Sequence, residues 1–259
     1  MPIKLNGETS GSIELDVPAA VSGGDISFTL PNGVGSANQI LKNSGTAGTL
    51  EYGTAGLKSI QVFSAGSSTW TKPSGITRVR VYVTGGGGPG GKIDSDDMAN
   101  GGGAGGTAIK LIDVTSISSV DVTVGAGGVG TQSILQSASA RGGTSSFGTH
   151  CSATGGDRTG GQWGIGGDGG TATGGDINIS GSDGIGGLID NTSNWQAAGT
   201  GGASFWGQGG KGSTNSFSAK ANGEAFGSGG GGGAGGGSFS TDSVSANGAP
   251  GIVVVEEYA

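Results

Sequence analysis

Glycine fills 64 of the 259 positions and gathers in runs such as Gly85–Gly88 and Gly229–Gly233. No other feature limits the possible folds so severely. Ordinary usage would supply about 18 glycines. Each one inside regular structure costs roughly 0.5–1 kcal/mol relative to alanine, because more backbone freedom is lost on folding. A chain of this kind stays disordered unless a special backbone architecture offsets that loss. Collagen is excluded: there are 6 prolines, and the glycine runs break any Gly-X-Y period. What remains is a bundle of polyglycine-II helices, with three residues per turn and no internal hydrogen bonds. Every N–H and C=O in such a bundle pairs with a neighbouring segment or with water. Glycine is required wherever those backbones approach closely.

Between the glycine runs the chain reads as strands. Ser12–Pro18 and Asp25–Pro31 alternate apolar and polar residues, and Asn32-Gly33 follows as a turn signal. The strands of residues 1–56 are too few and too thinly apolar to make a core; a homotrimer pooling three apolar faces would supply one. From Leu57 the pattern strengthens through Ser59–Phe63, Ser68–Pro73, Ile76–Thr84, Thr107–Val114 and Ser119–Val124, and the chain closes on Gly251–Tyr258. The expected fold is mainly β. A short N-terminal β region (1–56) precedes an antiparallel β-sandwich framework carrying a glycine-rich polyglycine-II bundle (57–259), with essentially no helix. The closing strand is expected to lie beside 76–84. Residues 155–248 are glycine-rich almost without interruption. Inserts richer in large side chains, Lys92–Asn100, Thr131–Arg141, Leu188–Ala198 and Thr214–Ala225, punctuate the glycine segments. A rigid scaffold bearing such inserts is a display architecture.

The formal charge of −7 argues against nucleic acid or anionic lipid as a partner. The opening MPIKLNGETSGS lacks the apolar stretch of a secretory leader, and no segment is apolar enough to insert in a membrane. Gly125-Ala-Gly-Gly-Val-Gly130 matches a dinucleotide fingerprint, but no β-α-β unit surrounds it. Gly86–Gly91 followed by Lys92 approaches a phosphate loop, yet Ile93 stands where a Ser or Thr is required. His150 and Cys151 are adjacent and each is the only one of its kind, so they read as a loop histidine beside a buried thiol. Cys/His metal sites are excluded by count, and Asp94, Asp96 and Asp97 read as a solvated acidic loop. No catalytic residue, cofactor or metal is expected.

The aromatic residues carry more information. Trp70 lies in a strand and reads as core. Trp163, Trp195 and Trp206 fall in the glycine-rich half, beside Arg158, Asn194 and Phe205. Large rings among small residues gain contact area at little entropic cost, so these six residues are candidate receptor contacts. The competing reading has the rings cover the glycine bundle. Phe147, Phe217, Phe226 and Phe239, each beside Gly or Ser, read as bundle-packing residues.

The run Gln61-Val-Phe-Ser-Ala-Gly-Ser-Ser-Thr-Trp-Thr-Lys-Pro73, with Val79–Gly88, Val122–Gly128, Gly143–Gly148 and Gly251–Tyr258, resembles the glycine-rich domain of phage tail fibres. Phe28–Gly33, Asn38–Leu41 and Gly48–Tyr52 resemble fibre segments of marine cyanophages, and the glycine half resembles the polyglycine-II adhesins of T-even-like phages. The resemblance implies a virion tail-fibre protein that recognises the host surface without catalysis. Its partners would be a surface glycan or outer-membrane protein, with other fibre proteins held by the N-terminal region. Rival readings are a purely structural fibre or baseplate component and an ice-binding protein.

Overall fold

In the computed structural model, the described residues are 29–33, 35–36, 39–44, 46, 48–91, 99–130, 141–158, 164–190, 195–213, 221–233 and 245–259. The strand expected at Ser12–Pro18 and most of Asp25–Pro31 lie outside them. The chain divides into two compact units, Met1–Ala55 and Gly56–Ala259. In the first, β1 (Ile40–Asn43) and β2 (Leu50–Gly53) form an antiparallel pair in the register Ile40↔Gly53, and Thr29 bridges Thr49.

The second unit is a sandwich. One sheet has the order β11 (Ile177–Ile179), β6 (Thr107–Asp113), β5 (Arg78–Thr84), β14 (Ile252–Tyr258), β3 (Leu57–Phe63). The other runs β10 (Ala172–Thr173), β9 (Cys151–Ala153), β8 (Ser145–Phe147), β7 (Ser119–Val124), β4 (Gly66–Thr71). All neighbouring strands in both sheets pair antiparallel. A small hairpin of β12 (Leu188–Asp190) and β13 (Trp195–Ala197) stands apart. The closing strand pairs with β5 as its sequence suggested, and its other edge pairs with β3.

Strict alternation sends Val79, Val81 and Val83 of β5 inward over β8 and β9, and Val253 and Val255 of β14 inward over β7 and β8, where Val120, Val122 and Val124 of β7 join them in one cluster. Trp70 is fully buried and packs its ring 5.8 Å from that of Phe147. Phe147, expected to pack the glycine bundle, instead belongs to this core. Its Ser-Ser-Phe strand is too short to show a period, so its immediate glycine neighbours dominated the reading. Glu257 is also fully buried. Its carboxylate accepts hydrogen bonds from the Trp70 indole and the Gln61 amide at 2.7 Å, and from the Ser59 hydroxyl.

The strands continue directly into glycine rods whose hydrogen bonds repeat every third residue. In the 99–106 rod, the N–H groups of Ala99, Gly102 and Gly105 donate to the 227–233 rod. Those of Gly101 and Ala104 donate to 180–187, and those of Gly103 and Gly106 to 154–158. Its carbonyls accept in the same period from 85–91, 164–171 and 197–203. Three donors and three acceptors per turn therefore reach six different neighbours, which is the polyglycine-II lattice. The 85–91 and 227–233 rods are likewise bonded to six neighbours each, and these three rods bond to one another. Such proximity admits no side chain on most faces: a Cβ on Gly103 would lie 2.0 Å from the Asp168 carbonyl oxygen.

Where sheet gives way to rod, hydroxyls bridge the change of period. Ser145 Oγ donates to the Thr84 carbonyl and accepts from the Gly125 N–H, while Thr84 and Thr107 hydroxyls pair at 2.9 Å. The segment 155–248, expected to be glycine-rich almost throughout, is interrupted by β10, β11, β12 and β13. Strands of two or three residues carry too little alternation to be read against so much glycine.

Candidate functional site

Each rod has one end at the sheets and one end away from them. The far ends are held together: Gly91 N–H donates to Asn100, Ala99 to Gly233, Gly233 to Gly91, Ala198 to Ser213 and Ser213 to Gly232. Gly187 N–H donates to the Asn100 side chain, which fixes the base of the β12–β13 hairpin. The segments 92–98, 131–140, 159–163, 191–194, 214–220 and 234–244 lie outside the described residues. Among the candidate contacts, Trp163 and Asn194 fall within them. Trp195 begins β13, and Arg158 closes the described part of the 154–158 rod, so the backbone of both is at the far end.

Phe205 and Trp206 are placed elsewhere. They form the tight turn Ser204–Gly207 that joins two rods at the sheet end, with Ser204 and Gly207 bridged. Ser204 Oγ donates to the Phe226 carbonyl and accepts from the Trp206 N–H. The Trp206 indole donates to Thr84 Oγ1 at 2.9 Å, and the two rings meet edge to face at 5.1 Å. Both lie 6.2 Å from the Tyr82 ring. The turn thus seals the junction of rod and sheet, although Phe205 is still 46% exposed. The six candidates do not form one cluster: Trp195 and Arg158 go with the far end, Phe205 and Trp206 with the junction.

A shallow groove of about 310 Å³ runs along the flank of the bundle, over the 154–158 rod. Gly142, Gly155, Gly169 and Gly170 line it between the side chains of Arg141, Thr144, Thr154, Asp157 and Thr171. Arg141 Nε lies 3.0 Å from Asp157 Oδ1, both partly exposed. An acid, a guanidinium and hydroxyls around a glycine floor suit a ligand rich in hydroxyl groups, which both donates and accepts. Sequence reasoning missed this groove, because its parts come from three rods that become neighbours only in the lattice.

The glycine motifs have their donors committed. Gly86, Gly87, Gly88, Gly90 and Gly91 N–H groups all bond to neighbouring rods. In the dinucleotide-like run, Gly125 donates to Ser145 Oγ, Gly128 to Gly87, and Gly130 to Asn247 Oδ1. A phosphate would have to break the lattice to reach them. Cys151 is buried in β9, where burial pushes its thiol up to about 11; His150 is half-buried with its ring 6.1 Å from Phe147. Among the described residues no group of three or more His, Cys, Asp or Glu could hold a metal ion, and no helix is long and apolar enough to cross a membrane.

Fold and lattice together define a glycine-rich β-sandwich protein whose strands extend into a polyglycine-II bundle. The chain belongs to the glycine-rich domain family, which matches residues 62–258. No curated protein matches it.

Proposed function

We propose that this protein is a non-catalytic receptor-binding adhesin of a viral tail fibre, acting outside the cell from the virion. In this reading residues 1–56 join it to other fibre proteins, and the far end of the bundle meets a host surface glycan or outer-membrane protein. One observation carries the reading: the described rods are bonded together at the end of the lattice opposite the sheets. A lattice that is stiff at its base spends little entropy on presenting loops. The resemblance of 61–88 to phage fibre domains supports the virion assignment, and the groove beside Arg141 and Asp157 supplies chemistry suited to sugar hydroxyls. Affinity at one site would be modest, with avidity gained from several copies.

The test is binding of the labelled chain to a panel of candidate bacterial hosts, in competition with phage that infect them. Saturable binding that blocks infection, weakened by Arg141→Ala with Asp157→Ala, is expected. A folded chain that binds no host which such phage infect would reduce the protein to a structural fibre or baseplate component.

A further inference from the structure

We propose that the outer face of the sheet β11–β6–β5–β14–β3 is the surface through which two copies of this chain associate. The proposal stands apart from the adhesin reading and rests on strand register. One row across the face is wholly apolar, running Ile177, Ile109, Tyr82, Val254, Val62 over all five strands. The next row holds Leu111, Arg80, Glu256 and Ile60, and the one beyond it sets Arg78 beside Tyr258. Leu57, Ile60, Val62, Leu111, Ile177, Phe205 and Trp206, on this face or at its junction rim, are between 36% and 58% exposed. With side-chain surfaces on the order of 200 Å² each, they leave about 600–700 Å² of apolar surface in water, the most a monomer ordinarily shows and near the roughly 800 Å² per partner of a standard interface.

The order of residues on the face selects a second copy as the occupant. A two-fold axis parallel to the strands, lying between β5 and β14, sets β5 over the partner's β14 and β6 over its β3. Under that operation Val62 meets Ile109, Ile60 meets Leu111 and Val254 meets Tyr82, apolar on apolar in each pair, and Asp113 comes over Leu57 at the rim away from the bundle. Arg80 comes to lie over Glu256, and Arg78 over the ring of Tyr258. Within one copy Arg80 Nε is 3.6 Å from Glu256 Oε2, and its guanidinium stands 5.6 Å from the Tyr258 ring centroid. The same acid, base and ring are therefore side by side, ready to be exchanged between copies. An isologous contact demands this kind of self-complementarity. Two such sheets would pack about 10 Å apart with strands roughly 30° from aligned, and Phe205 would close the end nearest the bundle.

Light scattering of the full chain across the micromolar range should give twice the 24.5 kDa mass of one chain. Val62→Asp with Leu111→Asp should weaken association by about 100-fold or more, through buried unpaired charge. Both residues are half-exposed, so far-UV circular dichroism should be unchanged. Arg80→Glu alone and Glu256→Arg alone should each be monomeric, because like charges then face across the interface. Mixing those two variants should restore a dimer, since every facing pair at these positions then carries opposite charges. A monomeric wild-type chain would overturn the proposal. So would a trimer or dimer unaffected by these substitutions, which would place association in another surface, and so would a mixture that fails to dimerise.

Discussion

Replacing Gly103 by alanine puts the lattice to its most direct test. The added Cβ would stand 2.0 Å from the Asp168 carbonyl oxygen, 2.5 Å from its carbon and 2.8 Å from the Gly167 oxygen. An ordinary contact begins near 3.4 Å, so the 164–171 rod must withdraw by roughly 1.4 Å. That rod is held by Gly167 N–H to Gly101 at 2.9 Å, Gly170 N–H to Ala104 at 2.7 Å, and the Asp157 N–H to Asp168 at 2.8 Å. Withdrawal stretches all three past bonding distance. At about 1 kcal/mol each, the loss is about 3 kcal/mol, the upper range for overpacking a core. In a chain of this size that lowers the melting temperature by roughly 6–12 °C. The control is Ala104→Gly, one residue along the same rod. Its methyl is already accommodated at full burial, so removing it should cost only about 1–2 kcal/mol, from backbone entropy and the lost buried methyl, and no hydrogen bond of the lattice. Thermal melts followed by circular dichroism decide the matter. A Gly103→Ala melt within about 2 °C of wild type would refute the close-packed lattice, because rods loose enough to admit a methyl cannot be held by these bonds.

Glu257→Leu should cost about 3–5 kcal/mol in denaturant titrations, since the donors of Trp70, Gln61 and Ser59 lose their acceptor at a buried site. Cys151 should resist alkylation at mildly alkaline pH until the chain unfolds, because burial pushes its thiol up to about 11; reaction at the rate of a free thiol would contradict its place in the core. The hydroxyl and N–H of Thr115 hold the Asp113 carboxyl below its ordinary value. A carboxylate depressed in the folded state stabilises it above the unfolded pKa, and that contribution fades as pH falls through the folded value. The melting difference between wild type and Asp113→Asn should therefore shrink on acidification, and a constant difference would count against the hydrogen bonds.

Legibility in the sequence followed the length of each alternating run. Ile76–Thr84 and Gly251–Tyr258 show enough period-two alternation to reveal both strands, and even the pairing of β5 with β14. Cys151–Ala153 and Ile177–Ile179 offer three residues apiece, so β9 and β11 could not be told from their glycine surroundings. Glycine content pointed to a polyglycine-II bundle but not to which rods touch, because glycine has no side chain to encode a partner. For the same reason the groove of Arg141 and Asp157 was hidden, its two charged residues sixteen positions apart on separate rods. Trp206 was visible as an unusual ring among glycines, yet its hydrogen bond to Thr84 depends on a contact between residues 122 positions apart.

The lattice also explains how a chain with so little apolar content sustains a long ordered segment. Hydrophobic residues make up 32% of the sequence, and the core cluster lies between the sheets and not among the rods. A strand in a sheet bonds to two neighbours, whereas the 99–106 rod bonds to six. Its backbone therefore becomes the packed interior, and the entropy lost at each glycine is offset by a donor and an acceptor that both find partners. Specificity is then divided between two kinds of sequence. Interior rod positions such as Gly103 tolerate almost nothing but hydrogen at Cα, while the far-end connections need only span between rod ends. Doubling the length of such a connection costs about 0.6 kcal/mol of closure entropy. The fold thus holds its scaffold rigid in sequence while length added between rods costs little, which is the division of labour that the proposed recognition end would require.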